Sequence, residues 1–132
     1  MKAWPEPLSI LCVDDDAIIG LAVRETIEQQ ENMIFVGCLL DTHSLPEEIA
    51  SRKPDVLLLD LTIPGCDSLE ALKEISRSVP DIITIVFSGA ADPALRQQAL
   101  DLGAAAFVVK NGDWDCLIRV LQEASRSRTN AP

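Results

Sequence analysis

Apolar residues along the chain follow two alternating patterns. Short, nearly unbroken β-rich runs occur at Leu8 to Val13, Ile34 to Leu39, Val56 to Leu59, Ile82 to Phe87 and Ala106 to Val109. Runs of this kind, without polar alternation, predict strands buried on both faces. Between them the apolar residues recur at helical spacing. Ile19, Val23 and Ile27 share one face, as do Leu69, Leu72, Ile75 and Val79. Leu95, Ala99 and Leu102 form a third stripe, and Trp114, Leu117, Leu121 and Ala124 a fourth. A weaker helix is predicted over Leu45 to Arg52. Asp92-Pro93 offers an N-cap followed by a proline that needs no N–H there, Gly103 stands where a helix should stop, and Asp113 is placed to cap the last helix. Five strands alternating with five helices predict an α/β fold: a doubly wound parallel sheet covered on both faces.

Length and charge narrow the picture. A chain of 132 residues, 48% of them apolar, builds one domain and buries about two-thirds of its unfolded surface without disulfides. The domain is expected over residues 8–125, with an N-terminal extension at 1–7 and a C-terminal tail or start of a linker at 126–132. Ser125 to Pro132, rich in Ser, Arg, Asn and Pro, reads as unstructured. No run approaches the ~18 apolar residues of a membrane span, and Met1 to Pro7 does not read as a signal peptide, so a cytoplasmic protein is expected. The net charge of −10 argues against direct binding of nucleic acid, which rests on basic side chains. Cys12, Cys38, Cys66 and Cys116 show no C-x-x-C spacing, which argues against zinc or a redox pair. Cys12 and Cys38 read as small core residues, Cys66 as a loop residue.

In an open parallel sheet, ligands bind outside the carboxyl ends of the strands. There the first strand is followed by Asp14, Asp15 and Asp16, the third by Asp60, the fourth by Ser88-Gly89 and the fifth by Lys110. Asp16, Asp67 and Asp92 are explained as caps. Asp14, Asp15, Asp60, Ser88 and Lys110 are not. Carboxylates forced together need counter-charge to stay ionised, and one lysine balances only one of them, so the pattern implies a divalent metal.

These residues carry a family resemblance. Val13-Asp14-Asp15-Asp16, the run Pro54 to Gly65 around Asp60, Ser88-Gly89, Gly103-Ala104 and Val108-Val109-Lys110 together resemble the receiver domain of bacterial two-component response regulators. The resemblance covers roughly residues 8 to 125. It implies the flavodoxin-like receiver fold, a five-stranded parallel sheet in the order 2-1-3-4-5 with five helices. It also implies a phosphoacceptor at Asp60, catalytic roles for Asp60, Lys110 and Ser88, and Mg²⁺ held by Asp15, Asp60 and the Thr62 carbonyl, with Asp14 helping through water. Ser88 and Phe107 would act as the switch pair. Two positions depart from the pattern: Asn111 follows the site lysine where the family usually has proline, often after a cis bond, and Ser68 replaces a common glycine.

The function so implied is a phosphorylation-activated signalling switch. It takes a phosphoryl group from a histidine kinase or histidine phosphotransfer protein and reshapes the face of the fourth helix, fifth strand and fifth helix, roughly Asp92 to Glu123. That face would control a partner or output domain, with homodimerisation on phosphorylation as one route. The chain would catalyse its own phosphorylation and, because Thr62 and Ala90 flank the path of the attacking water, a slow dephosphorylation. No turnover of an external substrate is expected. The alternative is a receiver-like interaction module regulated without phosphorylation, but such modules typically lack an acidic residue or the lysine. A dehalogenase-type phosphatase would need a second aspartate where Thr62 stands. The lone histidine, His43, reads as a surface loop residue.

Overall fold

Leu8–Val13 form β1, and every residue of this strand except Ser9 is buried. The remaining strands are β2 (Met33–Leu39), β3 (Val56–Leu59), β4 (Ile83–Ser88) and β5 (Ala106–Val109). The helices are α1 (Ala17–Glu28), α2 (Leu45–Arg52), α3 (Ser68–Ser78), α4 (Pro93–Asp101) and α5 (Trp114–Thr129). This computed structural model describes residues 7–90 and 92–129. All strand pairs are parallel, in the order β2-β1-β3-β4-β5. The reversal of direction at β1 and β3 makes the sheet doubly wound, as the apolar pattern and the resemblance predict.

The strands are apolar on both faces because two separate cores need them. One contains Ile10, Cys12, Val56, Leu58, Ile85 and Val108 with Val23 and Ile27 of α1 and Leu117 and Leu121 of α5. The other contains Leu11, Val13, Leu57, Leu59 and Val86 with Ile49 of α2, Leu72 and Ile75 of α3 and Ala99 of α4. Alternate residues of one strand thus serve opposite layers. The caps read from the sequence are present: Asp16 accepts from the Ile18 and Ile19 amides, Asp67 from Glu70, Asp92 from Ala94 and Asp113 from Cys116. Gly103 has a φ of 117° and follows α4 and its C-cap Leu102.

Four expectations need correction. β2 begins at Met33, one residue before the predicted Ile34, and β4 runs from Ile83 to Ser88, one residue later than predicted. β2 is an edge strand: Met33 is buried, Ile34 exposed and the rest only partly buried, although its run is as apolar as the others. Finally, α5 continues to Thr129, through much of the segment read as unstructured. Leu117, Leu121 and Ala124 anchor this helix, and each residue added to an anchored helix gains a hydrogen bond without a new nucleation cost. The expected extension at Met1–Glu6 and the end of the expected tail, Asn130–Pro132, lie outside the described residues.

Candidate functional site

Sheet hydrogen bonding runs one residue beyond three of the strands and fixes the residues that follow them. The Asp14 amide donates to the Leu39 carbonyl at 2.9 Å, the Asp60 amide to Val13 at 3.0 Å and the Lys110 amide to Ser88 at 2.8 Å. Asp14, Asp60 and Lys110 are therefore held by the backbone ladder rather than by flexible loops. Their side chains converge on one rim together with Asp15.

Asp14 and Asp60 are buried, at 1% and 3% exposure, whereas Asp15 is exposed. Carboxylate oxygens of the three lie within 4.8 Å of one another. The Lys110 ammonium pairs directly with Asp14 Oδ2 and stands 3.4 Å from Asp60 Oδ2. It also lies 5.7 Å from the centre of the Phe87 ring, within cation–π range. Burial pushes the Asp14 carboxyl up from its ordinary value, and the Lys110 hydrogen bond offsets only part of that. For Lys110, burial acts downward, but the Asp14 hydrogen bond and the Asp60 charge outweigh it and the ammonium is held above its ordinary range. The pair is therefore asymmetric: both groups are pushed up from their ordinary values, which favours the charged form of the lysine and the protonated form of the aspartate.

Three carboxylates face one ammonium here. Oxygen donors this close, two of them dry and one open to solvent, suit a hard divalent cation that keeps part of its water shell, as Mg²⁺ does. The remaining lone pairs are partly committed to the fold. Asp14 Oδ1 accepts the Asp16 amide at 2.9 Å, and Asp60 Oδ1 accepts both the amide and the hydroxyl of Thr62 at 3.1 Å. The two Thr62 bonds could not be read from the sequence, because an Asp-x-Thr step is compatible with many turns. They orient the Asp60 carboxylate and leave Oδ2 toward Lys110.

Ser88 is fully buried at the end of β4, and its Oγ accepts the Ala90 amide at 3.4 Å. Phe107 is also buried, in the core layer that includes Val86, Ala99 and Ala104. His43 is exposed, with its amide on Asp41. The peptide between Lys110 and Asn111 is trans, like every other described bond. Asn111 Oδ1 accepts the Asp113 amide at 3.0 Å, a side-chain turn that closes the loop into α5 in place of the family's proline.

Residues 10–122 match the family model described as the response regulator receiver domain. The chain belongs to this family. Among curated relatives, the receiver is 38% identical over 104 residues to a protein-glutamate methylesterase/protein-glutamine glutaminase of Thiobacillus denitrificans, a match covering 78% of this chain and 29% of that protein. The chain therefore spans less than a third of that relative's length, and the activities in its name are that protein's. Among solved structures, the receiver resembles the response regulator domain of Thermotoga maritima CheB, with 28% identity, a TM-score of 0.81 and coverage of 96% of this chain and 99% of that one. It likewise resembles the receiver domain of a putative response regulator NarL from Mycobacterium tuberculosis, with 26% identity, a TM-score of 0.84 and coverage of 94% and 100%. Receivers of this family serve two-component signal transduction. Among the described residues no helix is long and apolar enough to cross a membrane.

Proposed function

We propose that this receiver is a cytoplasmic, phosphorylation-activated switch that accepts a phosphoryl group on Asp60 from the phosphohistidine of a sensor kinase or phosphotransfer protein. The observation that carries this reading is the Asp60 carboxylate: buried, oriented through Oδ1 by Thr62, and directed through Oδ2 toward the Lys110 ammonium. Asp60 acts as the nucleophile. Its oxygen forms the new P–O bond while the P–N bond to the donor imidazole breaks, and the imidazole leaves. Asp14, Asp15 and Asp60, with the Thr62 carbonyl, would hold Mg²⁺, which supplies charge neutralisation for the transferring phosphoryl oxygens. Lys110 neutralises a further oxygen as a point charge, and its pairing with Asp14 places it there in advance. Such transfer depends on positioning and electrostatics rather than on further covalent chemistry.

Ser88 supplies the read-out. Its Oγ accepts from Ala90 and retains its own proton to donate to a phosphoryl oxygen. Movement of that hydroxyl changes the space available to Phe107, and through it the face of α4, β5 and α5 that meets a partner, an output domain or a second copy of the chain. At the entrance, Ile18 and Leu21 stand 77% and 55% exposed on α1, just after the acidic loop. An exposed apolar pair at this rim suits a docking phosphodonor.

The test uses acetyl phosphate and Mg²⁺. Wild type should gain one phosphoryl group by intact mass, stable in neither acid nor base, and Asp60→Asn should gain none. Equal labelling of that variant would remove Asp60 from the mechanism.

A further inference from the structure

β1 and β2 do not pair in a single register. Ile10 stands opposite Phe35, but Leu11 stands opposite Gly37, so Val36 is the extra residue of a β-bulge. Gly37 has a φ of 141°, a conformation open mainly to glycine. Beyond the bulge, Cys12 lies directly opposite Cys38. Without it Cys12 would face Gly37 and Cys38 would face Val13, and the two thiols would point into different layers. The bulge brings both thiols to the same side, where both belong to the core layer under α1 and α5.

Cys38 packs against the core layer that contains Cys12, and its sulfur lies 3.9 Å from the Asp14 carbonyl oxygen and 3.8 Å from that of Leu39. Room for this sulfur comes from Gly20: a Cβ there would stand only 2.8 Å from Cys38 Sγ. A glycine inside a helix costs about 1 kcal/mol relative to alanine, and this close approach is the packing reason for it. Neighbouring strands lie about 4.7–4.9 Å apart, inside the roughly 4.4–6.8 Å between Cα atoms that a disulfide spans. Bonding the two sulfurs therefore needs mainly side-chain rotation.

We propose that Cys12 and Cys38 form a reversible disulfide between β1 and β2 when the protein meets hydrogen peroxide. Cys38 is half-buried and Cys12 is 1% exposed, so peroxide reaches Cys38 first. The Cys38 sulfur attacks the O–O bond, which breaks. The departing oxygen leaves as water with the thiol proton, and Cys38 becomes a sulfenic acid. The Cys12 sulfur then attacks the Cys38 sulfur, the S–O bond breaks, and the hydroxide leaves as a second water with the Cys12 proton. Two thiols are oxidised, one peroxide is reduced to two waters, and a thiol reductant reverses the reaction. Because the Cys38 sulfur now packs against the Asp14 carbonyl, the bond also disturbs the acidic rim and slows phosphoryl transfer. This last effect rests on the Asp60 reading; the disulfide itself does not.

The experiment treats wild type, Cys38→Ser and Cys12→Ala with hydrogen peroxide, alkylates them in denaturant, and maps cross-linked peptides by mass. Wild type should lose two of its four alkylatable thiols, with the Cys12 peptide joined to that of Cys38, and dithiothreitol should restore both. Either variant should fail to form this link, so one that does not fold leaves the other to decide. Retention of all four thiols, or a link through Cys66 or Cys116 instead, overturns the proposal. Acetyl phosphate labelling should then slow in oxidised wild type and remain unchanged in peroxide-treated Cys38→Ser. Equal labelling of oxidised and reduced wild type overturns the coupling to the rim, whereas reduced wild type that never labels counts against Asp60 as phosphoacceptor.

Discussion

β3 and β2 flank β1 on opposite sides and could hardly be more different. Every residue of β3 is at most 1% exposed, its register with β1 is unbroken, and it delivers Asp60. β2 has Ile34 47% exposed, a bulge in mid-strand, and an Arg52 guanidinium bonded to the Val36 carbonyl while Glu48 holds the same side chain at 2.7 Å. The difference shows how the fold divides its labour. The proposed phosphoacceptor follows the central strand, where packing from both layers supplies the fixed placement that positioning chemistry requires. The edge accommodates the irregular feature, and its bulge and arginine also blunt an edge that would otherwise be open to another strand.

The largest effect should come from the centre. Leu58→Ala removes a side chain that is 1% exposed, and urea unfolding should show a loss of about 2–5 kcal/mol; a loss no greater than that of an Ile34→Ala control would erase the contrast between the strands. Next comes the bulge. Gly37→Ala forces a Cβ into a positive-φ position and against the Arg52 guanidinium, for a loss of about 1–3 kcal/mol. The same variant should reduce Cys12–Cys38 cross-linking by peroxide, and full cross-linking would show that the bulge does not set the register.

The smallest effect should be a gain. With its folded pKa raised, Asp14 binds its proton more tightly in the native state than in the unfolded chain. Its favourable contribution is thus fully present below the unfolded pKa and is lost as pH rises through the folded one. In metal-free buffer at neutral pH, Asp14→Asn should therefore be modestly more stable than wild type, and that advantage should shrink on acidification. A variant less stable at neutral pH would show that the Lys110 pair outweighs the burial of the carboxylate.

The fold was legible because its signals are local and repeated. Runs such as Val56–Leu59 can sit only between two layers, and stripes such as Leu69, Leu72 and Ile75 close those layers. The candidate site was legible for a related reason: in a parallel sheet the residues after each strand share one rim, so Asp14, Asp60 and Lys110 could be brought together from strand ends alone. The course of α5 beyond Ser125 was not legible, because polar residues carry no sign of whether an anchored helix precedes them.

The sequence by itself determined that the apolar runs serve two layers and on which rim the charged residues meet, since both follow from periodicity and chain direction. Only the tertiary structure decided how those charges are balanced, with Asp14 rather than Asp60 as the direct partner of Lys110 and Thr62 folded back onto Asp60. It alone decided the pairing of Cys12 with Cys38, twenty-six positions apart and without a motif between them. The physical reason is register: a single extra residue on β2 turns every side chain after it to the other face, and no count of spacing along one strand reveals what its neighbour has inserted.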